Sequence, residues 1–286
     1  MNPLIDAPSL AQRLESEASI VLLDVRWALG DPKGAQHYAE AHVPGAVFVD
    51  LDHELADPAT PERGRHPLPS VDRFETATRR WGITPSSLVV VYDNTGSLAA
   101  SRAWWLLRAA GHAETLVLDG GLAAWSQAGL PLESGSVTPA PGPGLTLDTQ
   151  NPWAGMATIS QEQAGAWTSG SGKVLLDARA GERYRGEVEP VDPRPGHIPG
   201  ALSAPTAGNL AADGRFGAAA ELRERFAGLG VDPGTEVAAY CGSGVTAAHT
   251  VLALEIAGIS AALYPGSYSQ WSSNRMNEVA TGDQPA

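Results

Sequence analysis

The chain contains its own sequence twice, and this internal repeat restricts its possible folds more than any other feature. Four segments recur in the same order, and only the lengths between them change. The pairs are VLLDVR at 21–26 with VLLDAR at 174–179, HVPGA at 42–46 with HIPGA at 197–201, YDNTG at 92–96 with YCGSG at 240–244, and DGGLAAW at 119–125 with PGSYSQW at 265–271. A chain of 286 residues repeated in this way predicts two homologous domains of ordinary size.

The boundaries of these domains follow from a change in composition near the middle of the chain. The stretch ESGSVTPAPGPG at 133–144 is rich in proline, glycine and serine, which is typical of an exposed linker. We therefore predict an N-terminal domain over residues 1–132, a linker over 133–152 and a C-terminal domain over 153–286.

Short apolar runs alternate with helical patterns in both halves, which predicts an α/β fold whose domains each have a mainly parallel sheet flanked by helices. The predicted strands lie at 20–24, 89–92, 116–118, 174–177, 236–240 and 261–264. Helices are predicted at 97–110 and 246–257, each closed by a glycine. Ser160 and Gln163 have the spacing of a capping box at the start of a further helix.

The chain has one cysteine, Cys241, which lies between an apolar strand and a predicted helix. Backbone N–H groups and the positive end of the helix dipole are expected to face its sulfur, lower the pKa of the thiol and make it a nucleophile. A buried structural cysteine is the alternative, but Gly242 and Gly244 favour a loop that a ligand can approach closely. The corresponding position in the first half is Asp93, so that half is predicted to be inactive.

Charge and hydropathy exclude several classes of partner. The net charge of −13 and the pI near 4.9 disfavour nucleic acids and anionic membranes, which need a basic surface. No run approaches the roughly 20 apolar residues that span a bilayer, and no signal peptide is evident. A single cysteine allows no internal disulfide, which agrees with a reducing cytoplasm.

These motifs together resemble a known family, the two-domain rhodaneses or sulfurtransferases. The resemblance rests on Asp-x-Arg after a strand in each half, on the two His-[Val/Ile]-Pro-Gly-Ala segments, and on CGSGVTA at 241–247. Members that act on thiosulfate carry basic residues after the cysteine, whereas the neutral Gly242 and Ser243 resemble the 3-mercaptopyruvate sulfurtransferases. The resemblance implies that Cys241 attacks the donor sulfur, releases pyruvate and holds a persulfide until a thiophilic acceptor removes it.

The resemblance also implies the other residues of the site. Ser243 is expected to exchange a proton with the donor thiol, and Asp52 and His66 of the first domain match an aspartate and a histidine that complete a serine relay. Arg183 matches the family's substrate arginine. The second substrate arginine falls in the segment before HIPGA, where we expect Arg194. Arg185 is the alternative for this role. Backbone groups of the cysteine loop are expected to bind the donor and its sulfur, and they belong to Gly242, Gly244, Val245 and Thr246.

No metal and no cofactor is implied, and the expected partners are a small-molecule sulfur donor and an acceptor such as cyanide, a small thiol or thioredoxin. Thiosulfate is the alternative donor. A non-enzymatic sulfur relay is a further alternative, and turnover of the donor would distinguish it. A phosphatase is a weaker alternative, because its cysteine loop needs an arginine for the phosphate that this loop lacks.

Overall fold

The structure is a computed structural model that describes residues 2–16, 19–167 and 172–285. Within these ranges the chain forms two compact units, each built on its own parallel sheet. The first unit contains the residues up to Asp57, Pro69–Met156 and Ala212–Arg215. The second contains Pro58–Leu68, Ala157–Ala211 and the residues from Phe216 onwards. The predicted domain boundaries at 132 and 153 remain a proposal.

The first unit has a sheet of five described strands in the order β1-β5-β4-β2-β3, and every strand pair is parallel. Its helices and strands are β1 (Leu4–Ile5), α1 (Ala7–Ser16), β2 (Ile20–Asp24), α2 (Gly34–Glu40), β3 (Val47–Phe48), α3 (Leu51–Glu54), α4 (Val71–Arg80), β4 (Leu88–Tyr92), α5 (Ala100–Ala109), β5 (Thr115–Leu118) and α6 (Gly121–Gln127). All five residues of the central strand β4 are buried, as expected for a strand covered on both faces.

The second unit repeats this plan with four described strands in the order β7-β6-β8-β9, again all parallel. Its elements are α7 (Gln161–Ala166), β6 (Lys173–Asp177), α8 (Gly181–Arg185), β7 (Leu202–Ser203), a 3₁₀ helix (Thr206–Asn209), α9 (Ala219–Ala227), β8 (Glu236–Tyr240), α10 (Thr246–Ile256), β9 (Ala261–Leu263) and α11 (Ser267–Ser273). The predicted α/β class with mainly parallel sheets is confirmed, and so is the capping box of Ser160 and Gln163 at α7.

One predicted helix starts later than the pattern indicated. The helix expected from residue 97 begins at Ala100, because residues 97–99 form a turn around the carboxyl group of Asp93. Ser97 has a φ of 66° in this turn, a backbone conformation that a helix does not allow.

The repeated Asp-x-Arg motif forms the same buried ion pair in both units. Asp24 and Arg26 lie 2.6 Å apart in the first unit, and Asp177 and Arg179 lie 2.6 Å apart in the second. Both aspartates are fully buried at the ends of β2 and β6. The recurrence of this pair in a half without a cysteine agrees with a structural role for Arg179.

The repeated histidine motif also has the same packing in both units. His42 stacks on Tyr38 with ring centroids 4.1 Å apart, and His197 stacks on Tyr184 at 3.7 Å. In each case Nδ1 of the histidine lies 2.8 Å from the backbone carbonyl oxygen of the same tyrosine. These histidines therefore fix the turn that leads into β3 or β7.

None of the helices that the structure describes has the length and apolar content needed to cross a bilayer.

Candidate active site

Cys241 lies at the carboxyl edge of the second sheet, where parallel α/β folds place their ligands. It follows β8 directly, and the register pairs the last residue of β8, Tyr240, with Asp177 at the end of β6. The side chain of Cys241 is buried, and the N–H group of Gly244 donates to its Sγ atom at 3.1 Å. Gly244 has a φ of +80°, and a Cβ atom there would overlap the carbonyl oxygen of Pro265. Glycine is therefore required at this position of the loop.

Hydrogen bonds with the first residues of α11 fix the start of the cysteine loop. The carbonyl oxygens of Cys241 and Gly242 accept hydrogen bonds from the N–H groups of Tyr268 and Ser269, each at 2.9 Å, and the Cys241 N–H donates to Ser267 Oγ at 3.1 Å. These three hydrogen bonds fix the backbone at the start of the cysteine loop. Val245 and Thr246 lie where this loop becomes α10.

The equivalent loop of the first unit shows what such a loop binds. The carboxyl oxygens of Asp93 accept four hydrogen bonds of 2.8–3.0 Å from the N–H groups of Thr95, Ser97, Ala99 and Ala100. Burial raises the pKa of this carboxyl group, and the four N–H groups lower it in part. The loop therefore surrounds an acidic group with backbone donors. In the second unit, the N–H group of Gly244 is a backbone donor of this kind to Sγ of Cys241.

His66 and Ser243 come together beside this loop. Nδ1 of His66 lies 2.7 Å from Oγ of Ser243, although the two residues are 177 positions apart in the sequence. The contact is possible because the segment Pro58–Leu68 belongs to the second compact unit, the unit that contains Cys241.

Several contacts with α11 hold this segment in the second unit. The N–H group of Arg65 donates to Ser269 Oγ at 3.0 Å, and Nε2 of Gln270 donates to the carbonyl oxygen of Glu62 at 2.6 Å. Gly64, with a φ of +87°, lies so close to Gly266 that a Cβ atom would overlap its carbonyl oxygen. His66 is thus positioned by the contacts of the residues that immediately precede it.

Asp52 lies in α3 of the first compact unit, where Nε1 of Trp27 donates to its Oδ1 atom at 3.1 Å. The relay that would join Asp52 to His66 and Ser243 therefore remains a prediction.

Two arginines border the cysteine loop at Gly242. A Cβ atom on Gly242 would lie 2.6 Å from Nη2 of Arg65 and 3.5 Å from Nη1 of Arg183. Arg183 was predicted from the family resemblance, whereas Arg65 was missed. The signal for Arg65 was its position immediately before His66, because a segment that brings a histidine to the site also brings its neighbours.

Neither Arg194 nor Arg185 takes this position beside Gly242. The guanidinium group of Arg194 donates to four backbone carbonyl groups at the end of α11 and just beyond it, at 2.8–3.2 Å; they belong to Trp271, Ser272, Asn274 and Asn277. Arg185 is paired with the exposed Glu187 at 2.8 Å. The placement of Arg194 is that of a helix cap, and its predicted role in binding the donor gains no support from this geometry.

Comparison with known proteins agrees with the repeat. A family model described as "Rhodanese-like domain" matches residues 6–128 and 160–274. A "Putative thiosulfate sulfurtransferase SseB" from Mycobacterium tuberculosis H37Rv is 46% identical over 280 residues, covering 98% of this chain and 97% of that protein. A "Probable 3-mercaptopyruvate sulfurtransferase" from Pseudomonas aeruginosa is 45% identical over 285 residues, covering 98% of each chain.

Solved structures also match along nearly the whole chain. The crystal structure of SseA from Escherichia coli, described as a 3-mercaptopyruvate sulfotransferase with a rhodanese fold, has a TM-score of 0.80 at 32% identity, covering 94% of this chain and 99% of that one. The Tum1 protein of Saccharomyces cerevisiae has a TM-score of 0.85 at 24% identity and covers 98% of each chain, which shows a shared fold.

Proposed function

The chain belongs to the rhodanese-like family of sulfurtransferases, and on that premise we propose that it moves sulfur from 3-mercaptopyruvate through a Cys241 persulfide to a thiophilic acceptor. The observation that carries the choice of donor is the 2.7 Å contact between His66 and Ser243 beside the cysteine loop. The contact supplies a group that can transfer a proton. Sulfur transfer from mercaptopyruvate requires a proton transfer, whereas sulfur transfer from thiosulfate does not.

The proton requirement follows from the two leaving groups. When the Cys241 thiolate attacks the sulfur of mercaptopyruvate, the carbon–sulfur bond breaks and its electron pair leaves on the enolate of pyruvate. The proton of the donor thiol must then reach the methyl carbon of pyruvate, and a persulfide anion remains on Cys241. With thiosulfate the sulfur–sulfur bond breaks, sulfite leaves with the electron pair, and no proton moves.

Different residues of the site would carry out the proton transfer, bind the donor and stabilise the persulfide. Ser243 is two residues from Cys241, so its hydroxyl group is the proton carrier nearest in sequence to the attacking sulfur, and His66 is its partner. Arg65 and Arg183, on the Gly242 side of the loop, supply cations for the carboxylate and the developing enolate oxygen of the donor. The backbone N–H groups of the loop then receive the persulfide anion.

Ser243→Ala is expected to separate the two donors. It removes the hydroxyl group that passes the proton, so turnover of mercaptopyruvate should fall roughly a hundredfold. Turnover of thiosulfate should stay within about threefold, because sulfite leaves without a proton. Pyruvate and thiocyanate formation, with cyanide as the common acceptor, measure the two reactions. Equal losses with both donors would instead assign Ser243 to the support of the loop.

Side-by-side kinetics of the unmodified protein test the function itself. We expect kcat/KM for mercaptopyruvate to exceed that for thiosulfate. An equal or higher value with thiosulfate would overturn the choice of donor and leave the fold and the Cys241 persulfide intact. Turnover of neither donor, combined with a persulfide that forms from another protein, would indicate a sulfur relay.

Thiosulfate remains the second candidate because of one feature of the site. Two guanidinium groups, those of Arg65 and Arg183, lie at Gly242, and a pair of cations suits a dianion. The similarity to the protein named as a putative thiosulfate sulfurtransferase points in the same direction.

The acceptor and the location are further parts of the proposal. Because the sequence has no second cysteine, the persulfide must be discharged to a molecule outside the chain, and cyanide, a small thiol or thioredoxin would each serve. A single cysteine allows no internal disulfide, which fits the reducing cytoplasm that we propose as the location.

A further inference from the structure

The two arginines at the cysteine loop are already paired with buried carboxylates. Nη2 of Arg183 lies 2.7 Å from Oε1 of Glu189 and 3.0 Å from Oδ2 of Asp192. Nη1 of Arg65 forms an ion pair with Oδ1 of the same Asp192. Asp192 therefore bridges the two guanidinium groups with one oxygen on each, which is how a donor carboxylate would bind them.

Asp192 is fixed in this bridging position. Only 1% of its side chain is exposed, and its backbone N–H group donates to Oε1 of Glu189 at 2.9 Å. Burial raises the pKa of Asp192, with the negative charge of Glu189 acting in the same direction, while the positive charges of Arg65, Arg183 and Arg179 oppose the shift.

A small molecule can approach the ion pair of Arg65 and Asp192 from the surface. A cavity of about 260 Å³ in the second unit is lined by both members of the pair, Arg65 and Asp192, together with Gly64 and Ser269. Ser269 donates its N–H group to the carbonyl oxygen of Gly242, so the cavity borders the residues that hold the cysteine loop.

We propose that Asp192 is a resident anion that competes with the sulfur donor for Arg65 and Arg183 and so determines which donors bind. A donor must displace the Asp192 carboxylate from the guanidinium groups or bind beside its negative charge. Since Coulomb repulsion grows with the charge of the donor, it acts more strongly on the thiosulfate dianion than on the single carboxylate of mercaptopyruvate. The effect on donor choice rests on the proposed function, whereas the competition for the arginines does not.

Asp192→Asn is the first test, because it removes the charge and keeps the size of the side chain. We expect KM to fall roughly three- to tenfold for mercaptopyruvate and by a larger factor for thiosulfate. Glu236→Gln is the matched control, since it removes an exposed carboxylate, paired with Lys173, at the opposite end of β8. A rise in KM with Asp192→Asn would overturn the proposal and show that Asp192 positions the arginines for the donor.

Alkylation of Cys241 tests the competition without any sulfur transfer. As the protein has one cysteine, labelling with iodoacetate, an anion, and with iodoacetamide, which is neutral, reports on a single sulfur. Both alkylation rates are proportional to the fraction of Cys241 that is present as thiolate, so this fraction cancels in their ratio. We expect the ratio of iodoacetate to iodoacetamide rates to rise roughly three- to tenfold in Asp192→Asn and to stay unchanged in Glu236→Gln.

An unchanged ratio in a folded Asp192→Asn protein contradicts the proposal, even if mercaptopyruvate is turned over as expected. Conversely, a raised ratio in a protein that turns over neither donor supports the resident anion and overturns only the proposed function. Thermal unfolding verifies that each variant is folded. Should Asp192→Asn not fold, Asp192→Ser, which leaves room for water at the site, is measured against the same outcomes.

Discussion

Cys241→Ser is expected to reduce sulfur transfer from either donor at least about a thousandfold. A serine hydroxyl stays protonated at neutral pH and is a poor nucleophile towards sulfur, so no persulfide forms. The fold should persist, because oxygen occupies less volume than sulfur and the serine Oγ can accept the N–H group of Gly244 that donates to Sγ of Cys241. Turnover of mercaptopyruvate and thiosulfate measures the loss.

Mass spectrometry provides the accompanying control. Incubated with donor and no acceptor, the unmodified protein should gain one sulfur atom, and Cys241→Ser should gain none while its thermal unfolding stays the same. A sulfur adduct on the serine variant, or turnover close to that of the parent, would show that the reaction does not pass through this cysteine.

Arg179→Ala is expected to destabilise the second unit by about 3–5 kcal/mol. The substitution leaves the fully buried carboxylate of Asp177 without the guanidinium that lies 2.6 Å away. It also removes the hydrogen bond from Arg179 to the carbonyl oxygen of Gly196 and the stacking of the guanidinium on Tyr268, at 3.8 Å from the ring centre. Urea unfolding measures the change in the free energy of unfolding.

Arg26→Ala is the matched variant, because it breaks the same buried pair in the first unit and should cost a similar amount there. Arg185→Ala is the surface control, since its ion pair with Glu187 is exposed and should contribute less than about 1 kcal/mol. If Arg179→Ala cost no more than Arg185→Ala, the Asp-x-Arg pair would not be the structural element that its recurrence indicates.

The parts of the fold that the sequence predicted correctly are those decided by local pattern. The strands β4 and β8 are short apolar runs bounded by polar turns, and burial on both faces of a parallel sheet produces such runs. The start of α5 was misplaced, because the four hydrogen bonds to Asp93 compete with the helix for the backbone groups of residues 95–100.

The site was predictable where it is contiguous in sequence and less so where it depends on packing. Cys241 and Ser243 could be proposed from the sequence because strand, loop and helix follow one another directly. Arg65 was missed because its place beside Gly242 depends on the packing of Pro58–Leu68 with α11, far away in sequence. Arg194 has the charge expected of a donor-binding residue, but the carbonyl groups at the end of α11 that it binds are brought to it by tertiary structure.

The hydrogen bonds to Asp93 show how a loop of this shape is stabilised in a half of the chain that has no cysteine. In this loop several backbone N–H groups point at one acceptor. Removing the acceptor would lower the stability of the fold, because buried N–H groups without hydrogen-bond partners cost free energy. An apolar residue at position 93 would impose that cost on four N–H groups, whereas the two carboxyl oxygens of Asp93 accept from all of them.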